Sequence, residues 1–173
     1  MQTNLKNKKG ITFIEVIFAL PVALLSIFAA VAAILGAMGF NETARAYTQA
    51  MNLGIYRLEE IRNYATSDAA SFQTNVLKYN GVRFPKYGID DPTERNQLRG
   101  LGIDPSRTEA LTRISMISSD LADVVVVVSY QDKSGRVIGE DKNFNGVLNV
   151  GEDANGNSVL DSPIAFHALV ARK

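Results

Sequence analysis

The stretch that decides the fold is Lys8-Lys9-Gly10-Ile11-Thr12-Phe13-Ile14-Glu15-Val16, which opens an apolar run that continues to Phe40. Glu15 is the only charged residue in that run. A helix of roughly 20 apolar residues spans the hydrocarbon core of a bilayer, so the run is long enough to cross a membrane. An ionised carboxylate in lipid costs on the order of a few kcal/mol, so Glu15 is a candidate functional residue.

The charges around this run are unevenly placed. The chain of 173 residues has a formal net charge of zero, but residues 1–10 carry Lys6, Lys8 and Lys9 and no acid. The positive-inside rule places this leader on the cytoplasmic side. A cleaved secretory signal has an apolar core of about 7–15 residues with its cleavage site after the core. Here the only candidate processing point precedes the apolar run, so the hydrophobic helix is expected to stay.

The same residues resemble the type IV pilin superfamily, which includes major pilins, minor pilins and the pseudopilins of type II secretion. The family signal is a basic leader, a glycine, an apolar residue and a Thr-apolar-apolar-Glu stretch, which matches Gly10 to Glu15 position by position. The resemblance implies that a prepilin peptidase cuts between Gly10 and Ile11, that the new amine of Ile11 is N-methylated, and that Glu15 meets the amine of a neighbouring subunit. Family members more often carry Phe or Met where this chain has Ile11, which fits a minor subunit better than a major one.

Beyond Phe40 the helix is predicted to continue in an amphipathic form. Apolar residues recur there at steps of three or four, which predicts one buried stripe. The stripe consists of Ala44, Tyr47, Met51, Ile55, Leu58, Ile61 and Ala65. We therefore expect a basic leader over 1–10, a transmembrane or filament-core helix over 11–40, and an amphipathic half over 41–66 that packs on the protein's own sheet.

Residues 67–173 are predicted to form a β-rich globular domain. β-branched and apolar runs between turn signals predict several strands, and one segment predicts a short helical turn. The strands are expected near Val76–Tyr79, Leu111–Ile117, Val124–Tyr130, Val137-Ile138 and Ile164–Val170, and the helical turn near Asp91–Leu98. An antiparallel sheet packed on the long helix follows from the need to bury both apolar faces. The predicted fold class is α+β, which is also the architecture that the pilin resemblance implies.

An acidic, asparagine-rich segment over 141–161 predicts a calcium loop. Ca²⁺ takes six to eight oxygen ligands, and an EF-hand-type loop supplies them from its first, third, fifth, seventh, ninth and twelfth positions, with glycine at the sixth. The matching residues are Asp141, Asn143, Asn145, Val147 through its carbonyl, Asn149 and Glu152, with Gly146 at the turn. Only two of these ligands are charged, which favours a weak, structural site. The competing interpretation is that Asn and Gly simply make good turns.

A partial copy of the pattern follows directly. Its ligand positions hold Asp153, Asn155, Asn157 and Asp161. Ser158 stands where glycine is expected and Ile164 where the final glutamate is expected. These residues predict either an incomplete second site or additional ligands for the first.

Several function classes are disfavoured by composition. The chain has no cysteine, so thiol catalysis, thiolate metal sites and disulfides are excluded. His167, the only histidine, falls within a predicted strand, and no nucleophile is paired with a base in a recognisable motif. We therefore expect no enzyme activity. Basic residues form no patch of the kind that nucleic-acid binding needs.

The sequence as a whole predicts a structural subunit, most simply a minor pilin. Its expected partners are other pilin subunits, a prepilin peptidase and an inner-membrane assembly platform. Its expected location is the bacterial inner membrane as a single-pass protein, then a pilus or a periplasmic or extracellular filament. Three alternatives stay open: a type II secretion pseudopilin, a membrane-anchored calcium-binding protein that never polymerises, and a DNA-uptake pilin.

Overall fold

The computed structural model describes residues 12–67, 71–85 and 92–172. The chain divides into two compact units, Met1–Asn41 and Glu42–Lys173. In the first unit the described residues form the beginning of helix α1, which runs over Phe13–Ser67 and contains Pro21. In the second unit the remainder of α1 is followed by α2 over Phe72–Leu77 and α3 over Pro92–Gly100.

The second unit contains a five-stranded antiparallel sheet. Its strands are β1 (Arg83–Phe84), β2 (Thr108–Ser118), β3 (Leu121–Gln131), β4 (Val137–Ile138) and β5 (Ile164–Ala171). β3 pairs with β2 along one edge and with both β4 and β5 along the other. Alternate residues of β2 and β3, such as Thr112 and Val126, are fully buried with Leu53 and Ile61 of α1. The α+β prediction of a long N-terminal helix packed on an antiparallel sheet is therefore confirmed.

The acidic segment leaves and rejoins the sheet at one place. Tyr130 of β3 pairs with Ile138 at the end of β4, and Val128 pairs with Ile164 at the start of β5. The two ends of segment 139–163 are thus held two residues apart on the same strand. The pairing of β4 and β5 with β3 already brings the two ends of segment 139–163 together. Closing this long connection therefore adds little further loss of chain entropy.

The predicted apolar stripe of α1 is partly wrong. Ile55 and Tyr47 are exposed at 45% and 47%, whereas Arg57 is exposed at only 4%. The buried side of the helix is thus rotated from the predicted one. It consists of Ala50, Leu53, Gly54, Arg57, Leu58, Ile61 and Ala65.

Two contacts explain this rotation. A Cβ on Gly54 would collide with the ring of Phe166, so glycine lets α1 approach β5 closely. Arg57 is compensated inside the core: it forms a 2.8 Å ion pair with Glu60 and lies 4.6 Å from the centre of the Tyr79 ring. A buried charge is tolerated when it is paired in this way, and residue type alone does not reveal the pairing.

Each predicted element of the second unit is confirmed except one, and strand β1 was not predicted. The strands expected near 111–117, 124–130 and 164–170 are β2, β3 and β5, each extended by one to four residues in total, and the helical turn near 91–98 is α3. The strand expected near Val76–Tyr79 is wrong, because Val76 belongs to helix α2 and Tyr79 to the turn after it. Phe72 and Val76 are buried one helical turn apart. A short apolar run at that spacing cannot be assigned to strand or helix by periodicity alone.

Candidate assembly motif and cation-binding loops

The candidate processing residues Gly10 and Ile11 lie outside the described residues, so the structure describes this motif from Thr12 onward. The backbone N–H of Thr12 donates to Glu15 Oε2 at 2.8 Å, and the Thr12 hydroxyl donates to the same oxygen at 3.0 Å. The N–H of Glu15 approaches Thr12 Oγ1 at 3.4 Å. This is a capping box, in which the side chains of the two residues satisfy helix-terminal N–H groups reciprocally. The Thr-x-x-Glu spacing is itself the sequence signal of this cap, so Glu15 has a local structural role besides the predicted assembly role.

The first unit exposes its apolar side chains. Phe13, Phe28 and Phe40 are exposed at 81%, 68% and 81%. The most apolar 18-residue window of α1 has a mean hydropathy of 2.6 and none of it is buried. By length and composition this is a helix that could span a membrane. An exposed apolar surface of this extent marks contact with lipid or with a partner.

The first loop, Asp141–Glu152, is organised around its two carboxylates. Asp141 accepts hydrogen bonds from the N–H groups of Asn145 and Gly146 at 3.1 and 2.7 Å. Glu152 accepts from the N–H groups of Lys142 and Asn149 at 3.0 and 2.9 Å, which joins the two ends of the loop. The loop thus adopts a closed turn with its first and twelfth residues directed to its own backbone.

Both carboxylates are buried. Asp141 is 4% exposed and Glu152 is 5% exposed. Burial raises the pKa of Glu152, but the hydrogen bonds from Asn149 and Lys142 outweigh it and hold the pKa below its usual value. Glu152 is therefore ionised at neutral pH, as a metal ligand must be.

The second loop, Asp153–Ile164, repeats the first with high fidelity. Asp153 accepts from the N–H groups of Asn157 and Ser158 at 3.1 and 2.9 Å, which are the counterparts of Asn145 and Gly146. The left-handed residues also coincide. In the first loop they are Phe144 at φ 56° and Gly146 at φ 68°, and in the second Gly156 at φ 74° and Ser158 at φ 61°. The structure therefore gives the partial sequence copy the backbone conformation of a complete loop.

Glu140 closes this second loop. Its Oε1 accepts from the N–H of Ala154 and its Oε2 from the N–H of Asp161, both at 2.9 Å. These are the positions that Lys142 and Asn149 occupy in the first loop, where Glu152 accepts from them. Glu140, which is 8% exposed, thus takes the place that Ile164 leaves vacant.

Sequence reasoning missed Glu140, although a signal was present. Gly139-Glu140-Asp141 and Gly151-Glu152-Asp153 repeat the same three letters twelve residues apart. An internal repeat of this kind indicates two equivalent structural units. Each glutamate precedes one loop and closes the other.

The predicted ligands of the second loop are exposed or half-buried. Asp161 Oδ2 accepts from the side-chain amides of Asn157 and Asn155 at 2.6 and 3.1 Å. These amide hydrogen bonds, with that of Arg113, hold the pKa of Asp161 below its usual value despite some burial. The side chains of Asp153, Asn155, Asn157 and Asp161 are thus brought together by the fold. These contacts lie within the second loop.

Two arginines tie the paired loops to one face of the sheet. Arg83 of β1 donates to the carbonyl of Phe144 in the first loop at 2.9 Å. Arg113 of β2 donates to the carbonyl of Leu160 in the second loop at 3.2 Å and pairs with Asp161 at 3.3 Å. Because strand side chains alternate, Arg113 lies on the face opposite to the α1-facing Thr112. Segment 139–163 therefore contacts the outer face of the sheet at β1 and β2.

One acid on this face is not compensated. Glu109 of β2 is 7% exposed, and among the residues that the structure describes its Oε1 has no hydrogen-bond partner. Burial, followed by the neighbouring Asp141 carboxylate, raises the pKa of Glu109 to about 8, while Arg83 lowers it in part. With this pKa the Glu109 carboxyl is mostly protonated near neutral pH, and a side-chain hydrogen bond with Asp141 contributes to the shift.

The donor set suits calcium in its chemistry. Within the described ranges no three acidic or histidine side chains stand together as a metal centre. The predicted donors of each loop are instead mainly Asn side-chain oxygens with a few carboxylates, and hard cations prefer oxygen donors of these kinds.

Comparison with known proteins adds no identification. No family model, no curated protein and no solved structure matches the chain.

Proposed function

We propose that this protein is a structural subunit of a type IV pilus or related filament, most specifically a minor pilin, with a calcium-stabilised outer domain. The observation that carries the proposal is the junction of two features: the Gly10-Ile11-Thr12-Phe13-Ile14-Glu15 signal and the exposed apolar face of α1 that begins there. A helix packed in a protein core does not expose such an apolar face. Filament assembly in a membrane uses both the processing signal and the exposed helix.

Glu15 has a defined part in this proposal. In a single chain its carboxylate is held by Thr12, so the helix end is capped and the acid is partly satisfied. Cleavage after Gly10 would create a cationic amine at Ile11. A charge-assisted hydrogen bond from the amine of a neighbouring subunit is stronger than a neutral one. We infer that this amine draws Glu15 from its cap during assembly and fixes the stagger between subunits.

The paired loops would stabilise the outer domain. Calcium, when bound, supplies positive charge that offsets the buried carboxylates of Asp141, Glu152 and Glu140. Asp141 and Glu152 would hold the first cation with Asn143, Asn145, Asn149 and the Val147 carbonyl. Asp153, Asn155, Asn157 and Asp161 would hold the second, with Glu140 as the closing ligand. Segment 139–163 has few apolar residues, so cations would replace the core that it lacks.

Mass spectrometry of the mature N-terminus tests the class. We expect a protein that begins at N-methylated Ile11 when the chain is expressed with a prepilin peptidase, and an unprocessed chain for Gly10→Val. Retention of Met1 in the presence of an active peptidase would contradict the proposal.

Glu15→Gln separates a filament subunit from a membrane-anchored protein that does not polymerise. We expect the variant to be processed and inserted like the wild type but to be lost from sheared filament fractions. Glu42→Gln, a matched change beyond the apolar run, should leave assembly unchanged. If filament recovery is the same for wild type and Glu15→Gln, Glu15 has no assembly role.

Thermal unfolding with and without chelator tests the calcium part. A ligand that binds only the folded state raises its apparent stability by mass action, so millimolar calcium should raise the Tm of the second unit. EDTA should reverse the shift, and magnesium should reproduce little of it, because Mg²⁺ demands a tighter octahedral geometry. An unchanged Tm would sink the calcium assignment while leaving the filament assignment intact.

A further inference from the structure

A polar cleft opens in the second unit between α1 and the loops that flank β2 and β3. Its volume is about 330 Å³. Its charged lining residues are Glu42, Arg45, Asp104, Arg107 and Lys133. Three cations therefore face two acids, which leaves one positive charge in the cleft without a counter-charge.

The two acids of the cleft are already engaged. Lys133 Nζ forms an ion pair with Glu42 Oε2 at 2.8 Å, which joins the turn after β3 to α1. Asp104 Oδ1 accepts from the N–H and the hydroxyl of Ser106 at 3.0 and 2.6 Å. Arg107 Nε lies 3.9 Å from Asp104 Oδ2, which is too far for a hydrogen bond. The Arg107 guanidinium is thus held beside the cleft by a loose ion pair.

Arg45 carries the charge that is left over. Its side chain is exposed, and it enters no ion pair with residues 12–67, 71–85 or 92–172. A guanidinium presents its N–H donors in a planar fork that matches two oxygens of a phosphate. Arg45 and Arg107 therefore offer two such forks to one cleft, which suits a phosphate group.

The position of Arg45 in the chain indicates where that phosphate comes from. Arg45 follows Phe40, the last residue of the apolar run, by five residues within α1, which is about 7.5 Å along a helix. The headgroup layer on each side of a bilayer is about 5–8 Å thick. An α1 that crosses a membrane would bring Arg45 to the level of the lipid phosphates.

The acidic segment of a second copy is a less suitable occupant. Asp153 accepts from the N–H of Ser158 at 2.9 Å, and Asp161 accepts from the side-chain amide of Asn157 at 2.6 Å. These carboxylates would have to give up hydrogen bonds within their own loop to enter the cleft. A lipid phosphate has no such bonds to lose.

We propose that this cleft binds the phosphate of an anionic phospholipid headgroup, with Arg45 and Arg107 as its ligands. The inference rests on the proposed insertion of α1 in a membrane, and it is independent of cleavage after Gly10 and of filament assembly. The bound headgroup would hold the second unit at the membrane surface before assembly.

Native mass spectrometry of the full chain in detergent micelles tests this, with phosphatidylglycerol as the probe and phosphatidylcholine as the zwitterionic reference. We expect the wild type to retain phosphatidylglycerol in preference. Arg45→Gln and Arg107→Gln should each weaken that affinity about fivefold, the contribution of one basic residue near an anionic lipid surface. Arg45→Lys keeps the charge but loses the planar fork, so its affinity should lie between those of the wild type and Arg45→Gln.

Arg62→Gln is the matched control. Arg62 belongs to the same helix, is 45% exposed and pairs with Glu59 at 2.7 Å. It lies seventeen residues beyond Arg45, about 25 Å further along α1, so its loss should leave lipid affinity unchanged. Since both side chains are exposed, Arg45→Gln and Arg62→Gln should keep the Tm of the wild type.

Four outcomes would overturn the proposal. The first is wild-type affinity for phosphatidylglycerol in a variant with both Arg45→Gln and Arg107→Gln. The second is an equal loss in Arg62→Gln, which would indicate a general effect of surface charge. Binding of inorganic phosphate without preference for phosphatidylglycerol over phosphatidylcholine would assign the cleft to free phosphate. Dimers that dissociate in Arg45→Gln would assign it to a second copy.

The result for the membrane and the result for the filament are separable. Release of the chain from membranes by alkaline carbonate would overturn both membrane insertion and lipid binding. A chain that keeps Met1 in the presence of an active peptidase would overturn the filament class alone, because lipid retention is measured on the uncleaved chain.

Discussion

The two acidic loops have the same backbone and different closing residues. Both have left-handed residues at their fourth and sixth positions, and both fold their first aspartate back onto their own N–H groups. The first loop is closed by its own twelfth residue, Glu152, whereas the second is closed by Glu140 from the start of the segment. The second loop, which is incomplete in sequence, is thus completed by a residue that precedes the first loop. The segment is therefore one reciprocal unit.

The strongest test of this reciprocity removes Glu140. Glu140→Ala leaves two N–H groups, those of Ala154 and Asp161, without their acceptors. A hydrogen bond to a charged group contributes about 1.5–3 kcal/mol, so we expect the loss of both bonds to lower the free energy of unfolding by about 4 kcal/mol. Calcium stoichiometry should fall by one, as it should in Glu152→Ala. Denaturant unfolding and calorimetric titration check both, and an unchanged stoichiometry would show that Glu140 closes no site.

A substitution that completes the calcium-loop pattern of the second loop should not improve its calcium binding. Ile164→Glu places the expected twelfth residue in the second loop, but Ile164 begins β5 and is 2% exposed within the apolar core. Burying a carboxyl there should cost about 3 kcal/mol and should add no calcium affinity. Ile164→Val, which keeps the site apolar, should cost only about 1 kcal/mol. Tighter calcium binding by Ile164→Glu would contradict the exchange of closing residues.

The loops also differ in what faces them from β2. Glu109 faces the first loop, and Arg113 faces the second. An acid whose pKa is higher in the folded than in the unfolded state binds more protons when folded, so stability falls as pH rises between the two values. With the pKa of Glu109 raised to about 8, the calcium-free protein should lose about 2 kcal/mol between about pH 5 and about pH 7 through this group.

Chemical unfolding in EDTA across that pH range measures the effect. Glu109→Gln should flatten the dependence, whereas Asp123→Asn should not. Equal slopes for wild type and Glu109→Gln would mean that the carboxyl does not titrate in this range.

The smallest expected difference lies at the sixth position of each loop. Gly146 and Ser158 both have left-handed backbone angles, which cost a non-glycine residue about 1 kcal/mol. Gly146→Ala should therefore destabilise by about 1 kcal/mol and Ser158→Gly should stabilise by up to a similar amount. Opposite shifts in Tm confirm that the loops share one backbone. Shifts of the same sign would indicate that they do not.

Local patterns allowed much of this protein to be predicted. The apolar run, the Thr12–Glu15 spacing, the β-branched strands and the ligand spacing of the first loop are all properties of neighbours in sequence. α1, the sheet and the loop segment could be predicted because hydrophobic periodicity and composition are properties of residues that lie close together in the sequence. The filament role and the calcium sites stay predictions.

Other features depended on partners distant in sequence. The burial of Arg57 needs Tyr79 and Thr112, and the exposure of Ile55 follows from the close approach of Gly54 to Phe166. The segment Phe72–Leu77 forms a helix rather than the expected strand, and this places its two buried residues, Phe72 and Val76, one turn apart on the core side.

The sequence by itself determined an apolar N-terminal helix, an α+β architecture and a twelve-residue ligand pattern. Each of these depends on the spacing of residues that are close together in the sequence. Only the tertiary structure decided that Glu140 closes the second loop, that Ile164 belongs to the core, and that Glu109 is buried beside Asp141. These are contacts between segments that β3 brings together by pairing with β2, β4 and β5. The protonation state of a buried side chain depends on residues that are close in the fold but distant in sequence. The spacing of residues along the chain therefore does not reveal it.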